Sequence, residues 1–255
     1  MKQMKKVVSE RVKRLLEGSE DQYLIFGDVS RDDLDHIDAN RTDLGRGIRF
    51  THYVEEKLLI VKTPSPIHEI AHRTFGSMFE KQTWLMDMCV FDLYHLGAAR
   101  VQIPRRTSKE SDSSYAPNPP QSKWPTFVIE AGVSETLLRL RVDAQWWLSN
   151  SDGLVKIVML LEINRPRKEI RIEQWENDPP EVTRRSTRRT PAQTPKLITE
   201  AFIDASNNVT GGPFTLDFQK IFLQPPVSPQ QDITYSPEKL AKWATNLWAY
   251  PSYDP

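Results

Sequence analysis

Residues 154–163, LVKIVMLLEI, form a nearly continuous apolar run between Asp152-Gly153 and Asn164-Arg165-Pro166. Side chains of a strand point alternately to opposite faces, so a strand can be apolar throughout only if both faces are covered. The run therefore predicts a central strand in a sheet flanked on both sides. KEIRIEQWE (168–176) alternates and is expected to pair beside it. TFVIEAG (126–132) predicts a further apolar strand carrying one carboxylate, Glu130. Between them, residues 135–149 predict an amphipathic helix. Leu137, Leu140, Ala144, Trp147 and Leu148 share its apolar face, and Arg139, Arg141 and Asp143 lie off it.

The same periodicities organise the rest of the chain. Residues 4–17 predict a helix, 23–26 a short strand, and 29–44 a short helix and a loop. Residues 48–54 and 57–62 predict a hairpin. In Thr63-Pro64-Ser65-Pro66, Ser65 can cap a helix whose first residue is Pro66. Apolar spacing continues from there to Gly97, a predicted C-cap, as one helix or two. Residues 99–104 read as a strand and 104–125 as a loop holding a short strand at 113–115. Residues 177–196 are rich in Pro and Arg and poor in apolar groups, which predicts a mobile loop. Strands at 197–204 and 214–218, a helix at 236–248 and a tail at 249–255 complete the order. No linker separates two apolar cores, so 1–255 is expected as one α/β domain, with its core at about 48–176 plus strands in 197–222.

Composition narrows the function classes. Lys plus Arg and Asp plus Glu are both 34, which excludes a strongly basic whole-protein field. The single Cys89 excludes an internal disulfide and a cysteine-based zinc site. The charged N-terminal MKQMKKVVSERVKRLLEG does not read as a secretory signal, and no apolar run reaches membrane-spanning length. An intracellular protein, cytoplasmic or nuclear, with no membrane partner is expected. The patterns GxxxxGK[ST], GxGxxG and GxSxG are absent. His68 and His72 lie four apart on a predicted helix, a spacing that can bind a metal. With neither the glutamate placement of H-E-x-x-H nor a third ligand expected, one is expected to help cap the helix and the other to pack or face water.

Two acids stand out. Asp112 lies in KESDSSY, and Glu130 lies inside an apolar strand, where a carboxylate is costly unless paired or metal-bound.

EEKLLIVKTPSPIHEIAHRTF (55–75), SKESDSSYAP (108–117) and WPTFVIEAGVSETLLRLRVDAQWWLSNSDGLVKIVMLLEI (124–163) together resemble the Uma-type family of the PD-(D/E)XK restriction-endonuclease-like superfamily. The pattern is closest to a fungal group with that fold. It covers about residues 50–176, and FTLDFQKIFLQPP (214–226) resembles a C-terminal segment of the group. The resemblance implies a restriction-endonuclease-like α/β fold, a mixed sheet flanked by helices. It also implies Mg²⁺- or Mn²⁺-assisted phosphodiester hydrolysis on nucleic acid, often by dimers. Asp112 and Glu130 match the two metal-holding acids, and the Ala131 carbonyl matches a further ligand. The lysine expected two residues after the strand acid is absent: Gly132 stands there. Arg139 and Arg141, or more weakly Lys109, are the basic groups that could replace it. Glu69 and His68 are additional metal-facing options on the helix after the Pro turn. Arg105, Arg106 and Lys109 flank Asp112 and are expected to guide a nucleic-acid backbone. RRSTRR (184–189) is expected as a solvated loop segment. A rival reading is a non-cleaving nucleic-acid or protein interaction module on the same fold.

Overall fold

The structure, a computed structural model, describes residues 2–17, 19, 21–45, 47–133, 137–178 and 194–250. The first elements are helix α1 (Lys2–Leu16), strand β1 (Tyr23–Phe26) and helix α2 (Arg31–Ala39). A hairpin of β2 (Arg49–Tyr53) and β3 (Leu58–Lys62) leads into α3 (Pro66–Trp84). Next come β4 (Leu93–His95), β5 (Arg100–Ile103), β6 (Thr107–Glu110), β7 (Ser113–Pro117) and β8 (Phe127–Val133). Helix α4 (Leu137–Asn150) precedes β9 (Ile157–Asn164), β10 (Glu169–Asn177), β11 (Pro195–Ile203) and β12 (Val209–Gly211). The last elements are β13 (Phe214–Leu216), α5 (Phe218–Phe222), β14 (Ile233–Tyr235) and α6 (Pro237–Trp248).

Helix starts follow local chemistry. Ser65 accepts from the His68 N–H with Pro66 in the first turn, and Ser236 with Pro237 repeats the device at α6. Ser30 and Asp33 form a capping box that starts α2.

Two sheets result. The first has the order β1-β3-β2-β6-β5 and is antiparallel throughout. The second has the order β12-β11-β10-β9-β8-β7-β4 and is mixed, because its central pair β8–β9 is parallel and α4 connects them. Phe127, Ile129, Ala131 and Val133 of β8 face α3 and α6 in one core, with Phe75, Phe79 and Trp243. Val128, with Val158 and Leu160, faces α4 in another, against Leu140, Ala144 and Trp147. This is a mixed α/β architecture, a central mixed sheet flanked by helices. A separate cluster (Val8, Leu34, Ile37, Phe50, Val61) seats α1 and α2 on the first sheet. Each such buried side chain contributes on the order of 1.5–3 kcal/mol relative to exposure.

Besides the passage from β3 through α3 to β4, the chain passes directly from the first sheet to the second between Glu110 and Ser113, where Ser111 and Asp112 form the crossing. Gln22 pins the same join: its carbonyl accepts from Thr63 N–H at 2.8 Å and its Oε1 from Val133 N–H at 3.2 Å.

Several expectations need correction. The apolar run after α3 is not helical: α3 stops at Trp84, and Leu93–His95 pairs with β7 as an edge strand. Apolar spacing alone cannot separate a helix from a short strand, and sheet pairing decides here. Gly97 therefore caps no helix; its carbonyl accepts from the Ser111 and Ser114 hydroxyls. The 104–125 segment holds a second strand, β6, besides β7. The expected strand 214–218 ends at Leu216, where Asp217 caps α5. At the borders of the expected 177–196 loop, Asn177 and Pro195 are paired strand residues. Residues 179–193 of that loop, including RRSTRR, residues 134–136 and most of the tail lie outside the described residues. Among the described residues no helix is long and apolar enough to cross a membrane.

Candidate active site at the join of the two sheets

β7 pairs with β8 through Ser113↔Ile129, and one further step of that register sets Asp112 level with Glu130. Each acid is held by a different set of partners. Asp112 Oδ2 accepts from Lys62 Nζ at 2.7 Å, the Ala131 N–H at 2.9 Å and His68 Nε2 at 3.1 Å. The Ala131 carbonyl accepts from the same two side chains, Lys62 at 2.6 Å and His68 at 3.1 Å. Asp112 Oδ1 is buried without a hydrogen-bond partner; Arg49 Nε lies 3.9 Å away. Lys62 is the last residue of β3, so the first sheet delivers the ammonium and the second delivers the carbonyl.

Glu130 alternates onto the α4 side of β8. Its Oε1 accepts from Trp147 Nε1 at 2.6 Å and lies 3.5 Å from Lys109 Nζ. Lys109 is itself bonded to Asp143 at 2.8 Å, and Arg139 reaches the same Asp143 oxygen at 3.3 Å.

Burial sets the electrostatics. It disfavours a charged Glu130 and, with Asp112 and Asp143 nearby, lifts its carboxyl to about 7 against the pull of Lys109. Burial also opposes a charged Asp112, but His68 and Lys62 outweigh it and hold that carboxyl well below the usual range. Burial lowers His68 to about 4, despite Asp112. His68 is thus neutral at pH 7 and acts on Asp112 as a hydrogen-bond donor, beside the Lys62 amine at 2.7 Å. Lys109 stays charged: Asp143 and Glu130 overcome its burial and raise it.

The other expected residues divide. Arg139 joins the network through Asp143. Arg141 points elsewhere, forking onto Glu173 with Nε at 3.1 Å, so it does not meet the acid pair. Lys109 is buried at 4 % exposure and bonded inward, which takes it off the surface that a nucleic-acid backbone could touch. Arg105 and Arg106 are exposed on the turn between β5 and β6. Glu69 is half-buried and pairs with Arg49 at 3.3 Å and with Arg73 at 2.8 Å. Burial opposes its charge, but His72 and Arg49 hold it down at about 2.

Three features escape a reading by spacing alone. Lys62 is the first; its signal is a lysine closing an apolar strand just before Thr63-Pro64. Asp143 is the second: it looks like a polar position off the α4 face, yet it is 2 % exposed. The third corrects the expectation for the histidine pair: residues 68–72 read H-E-I-A-H, an H-E-x-x-H pattern, so Glu69 supplies the third donor that His68 and His72 are expected to lack. His72 is buried rather than capping, with Nδ1 2.8 Å from Ser113 Oγ.

No protein-family model matches the chain, and no curated protein is similar to it. Among solved structures, the chain is similar to a candidate nuclease of the DUF820 family from Anabaena variabilis. That likeness has 11% identity, covers 76% of this chain and 90% of that chain, and has a TM-score of 0.43.

Proposed function

We propose that the protein is a nuclease-type phosphodiesterase assisted by Mg²⁺ or Mn²⁺, with Asp112 and Glu130 as the metal-holding acids and Lys62 in place of the lysine missing at Gly132. The observation that carries this reading is the buried Lys62 ammonium, 2.7 Å from Asp112 and 2.6 Å from the Ala131 carbonyl. It brings a lysine to Asp112, one acid of the pair, from a different strand.

The donor set fits a hard cation in part. Asp112 Oδ1 is a buried carboxylate oxygen without a hydrogen-bond partner, the kind of atom such an ion satisfies. Glu130 stands level with it on the neighbouring strand. The Ala131 carbonyl fits poorly, because Lys62 and His68 already occupy it. When bound, the ion supplies charge stabilisation at the phosphoryl oxygens and acidifies a water. The chain's own groups orient the site. Lys62 and His68 fix the Asp112 carboxylate, and Trp147 fixes Glu130. Lys109 balances charge between Glu130 and Asp143. Arg105 and Arg106, exposed nearby in sequence, would take backbone phosphates.

One observation favours the second reading, a non-cleaving interaction module. The Asp112 and Glu130 side chains are 0% and 2% exposed, so a phosphodiester reaches them only if the join opens.

Calorimetry with Mg²⁺ and Mn²⁺, run beside nicking assays on plasmid and RNA, tests both readings. The nuclease reading expects metal binding and cleavage in the wild type and loss of both in Asp112→Asn and Glu130→Gln. Lys62→Met should retain metal and lose cleavage. A wild type that binds nucleic acid but neither binds metal at millimolar concentration nor cuts belongs to the second reading.

A further inference from the structure

The H-E-x-x-H turn of α3 is arranged as a cation site in its own right. His68 and His72 share one face of α3, with rings 5.1 Å apart at the centroids. His68 Nε2 lies against two acceptors, a carboxylate and a carbonyl, so that nitrogen carries the proton and Nδ1 keeps its lone pair. His68 Nδ1 is buried and has no hydrogen-bond partner. His72 mirrors this with the nitrogens exchanged. Nδ1 is engaged with Ser113 Oγ at 2.8 Å, and Nε2 is buried without a hydrogen-bond partner. Both orphaned nitrogens converge on one atom. Glu69 Oε1 lies 3.8 Å from His68 Nδ1 and 3.5 Å from His72 Nε2. Donor atoms of the three residues all fall within 4.8 Å of one another. Ligands at about 2.0–2.2 Å around a tetrahedral ion stand about 3.4 Å apart, so a closure of about 1 Å or less among these side chains seats one ion.

We propose that His68 Nδ1, Glu69 Oε1 and His72 Nε2 bind one borderline transition cation of the Zn²⁺ class, at a centre separate from the Asp112–Glu130 pair.

Two imidazoles and one carboxylate are the ligand chemistry such ions take, whereas Mg²⁺ takes oxygen. The outer contacts are already in place. A ligating histidine ordinarily gives its other N–H to a carboxylate, carbonyl or hydroxyl, which fixes tautomer and ring orientation. Asp112 with the Ala131 carbonyl does this for His68, and Ser113 does it for His72. All of these partners sit at or beside the crossing between the sheets. The Glu69 side chain is 23% exposed while both histidine side chains are 2% or less, so solvent and a fourth ligand reach the ion from the Glu69 side. Arg49 is the competing cation, with Nη2 3.3 Å from Glu69 Oε1. Its other partners are the Gly47 and Ser111 carbonyls and, at 3.9 Å, Asp112, which can keep it when an ion takes the Glu69 carboxylate.

The test uses the full chain, stripped with EDTA and titrated with Zn²⁺ by calorimetry and with Co²⁺ by visible absorption. One ion per chain is expected, with the d–d bands of nitrogen-ligated Co²⁺. His68→Gln and His72→Gln should each abolish those bands. Ser113→Ala, which leaves all three ligands, should weaken binding by about 10–100-fold. Glu130→Gln should leave Zn²⁺ and Co²⁺ binding intact, so failure of the phosphodiesterase reading is seen separately. Near-UV circular dichroism checks that each variant is folded. If His68→Gln does not fold, His72→Gln and the partly exposed Glu69→Gln carry the same test. No Zn²⁺ or Co²⁺ binding by the wild type at millimolar ion would overturn the site. So would binding that survives loss of the histidines.

Discussion

Lys62 at the end of one sheet donates to Asp112 at the entrance of the other, across 2.7 Å and with both side chains buried. The pair therefore joins the two sheets as well as setting the charge of the site. Removing one partner of a buried ion pair leaves the other charge uncompensated, which costs about 3–5 kcal/mol. Lys62→Met should lower stability by that order in urea titrations, and adding Asp112→Asn to it should restore much of the loss. If the double variant is no more stable than Lys62→Met alone, the pair is not coupled in this way.

Glu130 makes stability fall as pH rises. Its carboxyl sits at about 7 in the fold, against 4.5 for an unperturbed glutamate. Between those values the folded chain holds a proton that the unfolded chain has released, so rising pH favours unfolding. The contribution is present below pH 4.5, is lost through pH 7 and is flat above. At about 1.4 kcal/mol per pKa unit it amounts to a few kcal/mol. In EDTA, Glu130→Gln should thus gain stability relative to wild type between pH 5 and pH 8. A difference between the two proteins that does not change with pH would rule this out.

Much of the scaffold is legible from periodicity and punctuation. The Ser65-Pro66 and Ser236-Pro237 starts, the β2–β3 hairpin and the doubly covered β9 all follow from local chemistry. What is not legible is whatever depends on distant pairing. The 84–97 run looks helical until β7 offers Leu93–His95 a strand to pair with. The site divides the same way. Glu130 stands out because a lone carboxylate in an apolar strand demands a partner. No local rule tells that the partners are Trp147 and Lys109, 17 and 21 residues away in opposite directions. Lys62 is harder still, because the contact spans 50 residues and two sheets.

Gly76 shows how tightly α3 lies on the second sheet. A Cβ at this position would collide with the Tyr115 hydroxyl, which donates to Glu80 at 2.9 Å. Gly76→Ala should therefore cost about 1–3 kcal/mol by overpacking, even though alanine is the better helix former. Because the colliding atom is the hydroxyl oxygen, adding Tyr115→Phe should recover part of that loss. Additive losses in the double variant would show that the strain lies in the backbone instead.

Arg105, Arg106 and Lys109 are close in sequence but should behave differently toward a polyanion. Arg105 and Arg106 are exposed on the β5–β6 turn, whereas the Lys109 ammonium is enclosed by Asp143 and Glu130. Each surface cation that meets a duplex phosphate releases counterions and adds about 0.9 to the salt slope of binding. If the chain binds duplex DNA through this turn, Arg105→Ala with Arg106→Ala should lower the slope by about 2 and weaken binding to all sequences alike. Lys109→Met should leave the slope alone and instead destabilise the fold by about 3–5 kcal/mol, since Asp143 and Glu130 lose their shared cation. Filter binding across a salt series, with urea titration of the same three proteins, reads both effects. A slope change in Lys109→Met at full stability would put that ammonium on the binding surface and overturn its assignment to the interior.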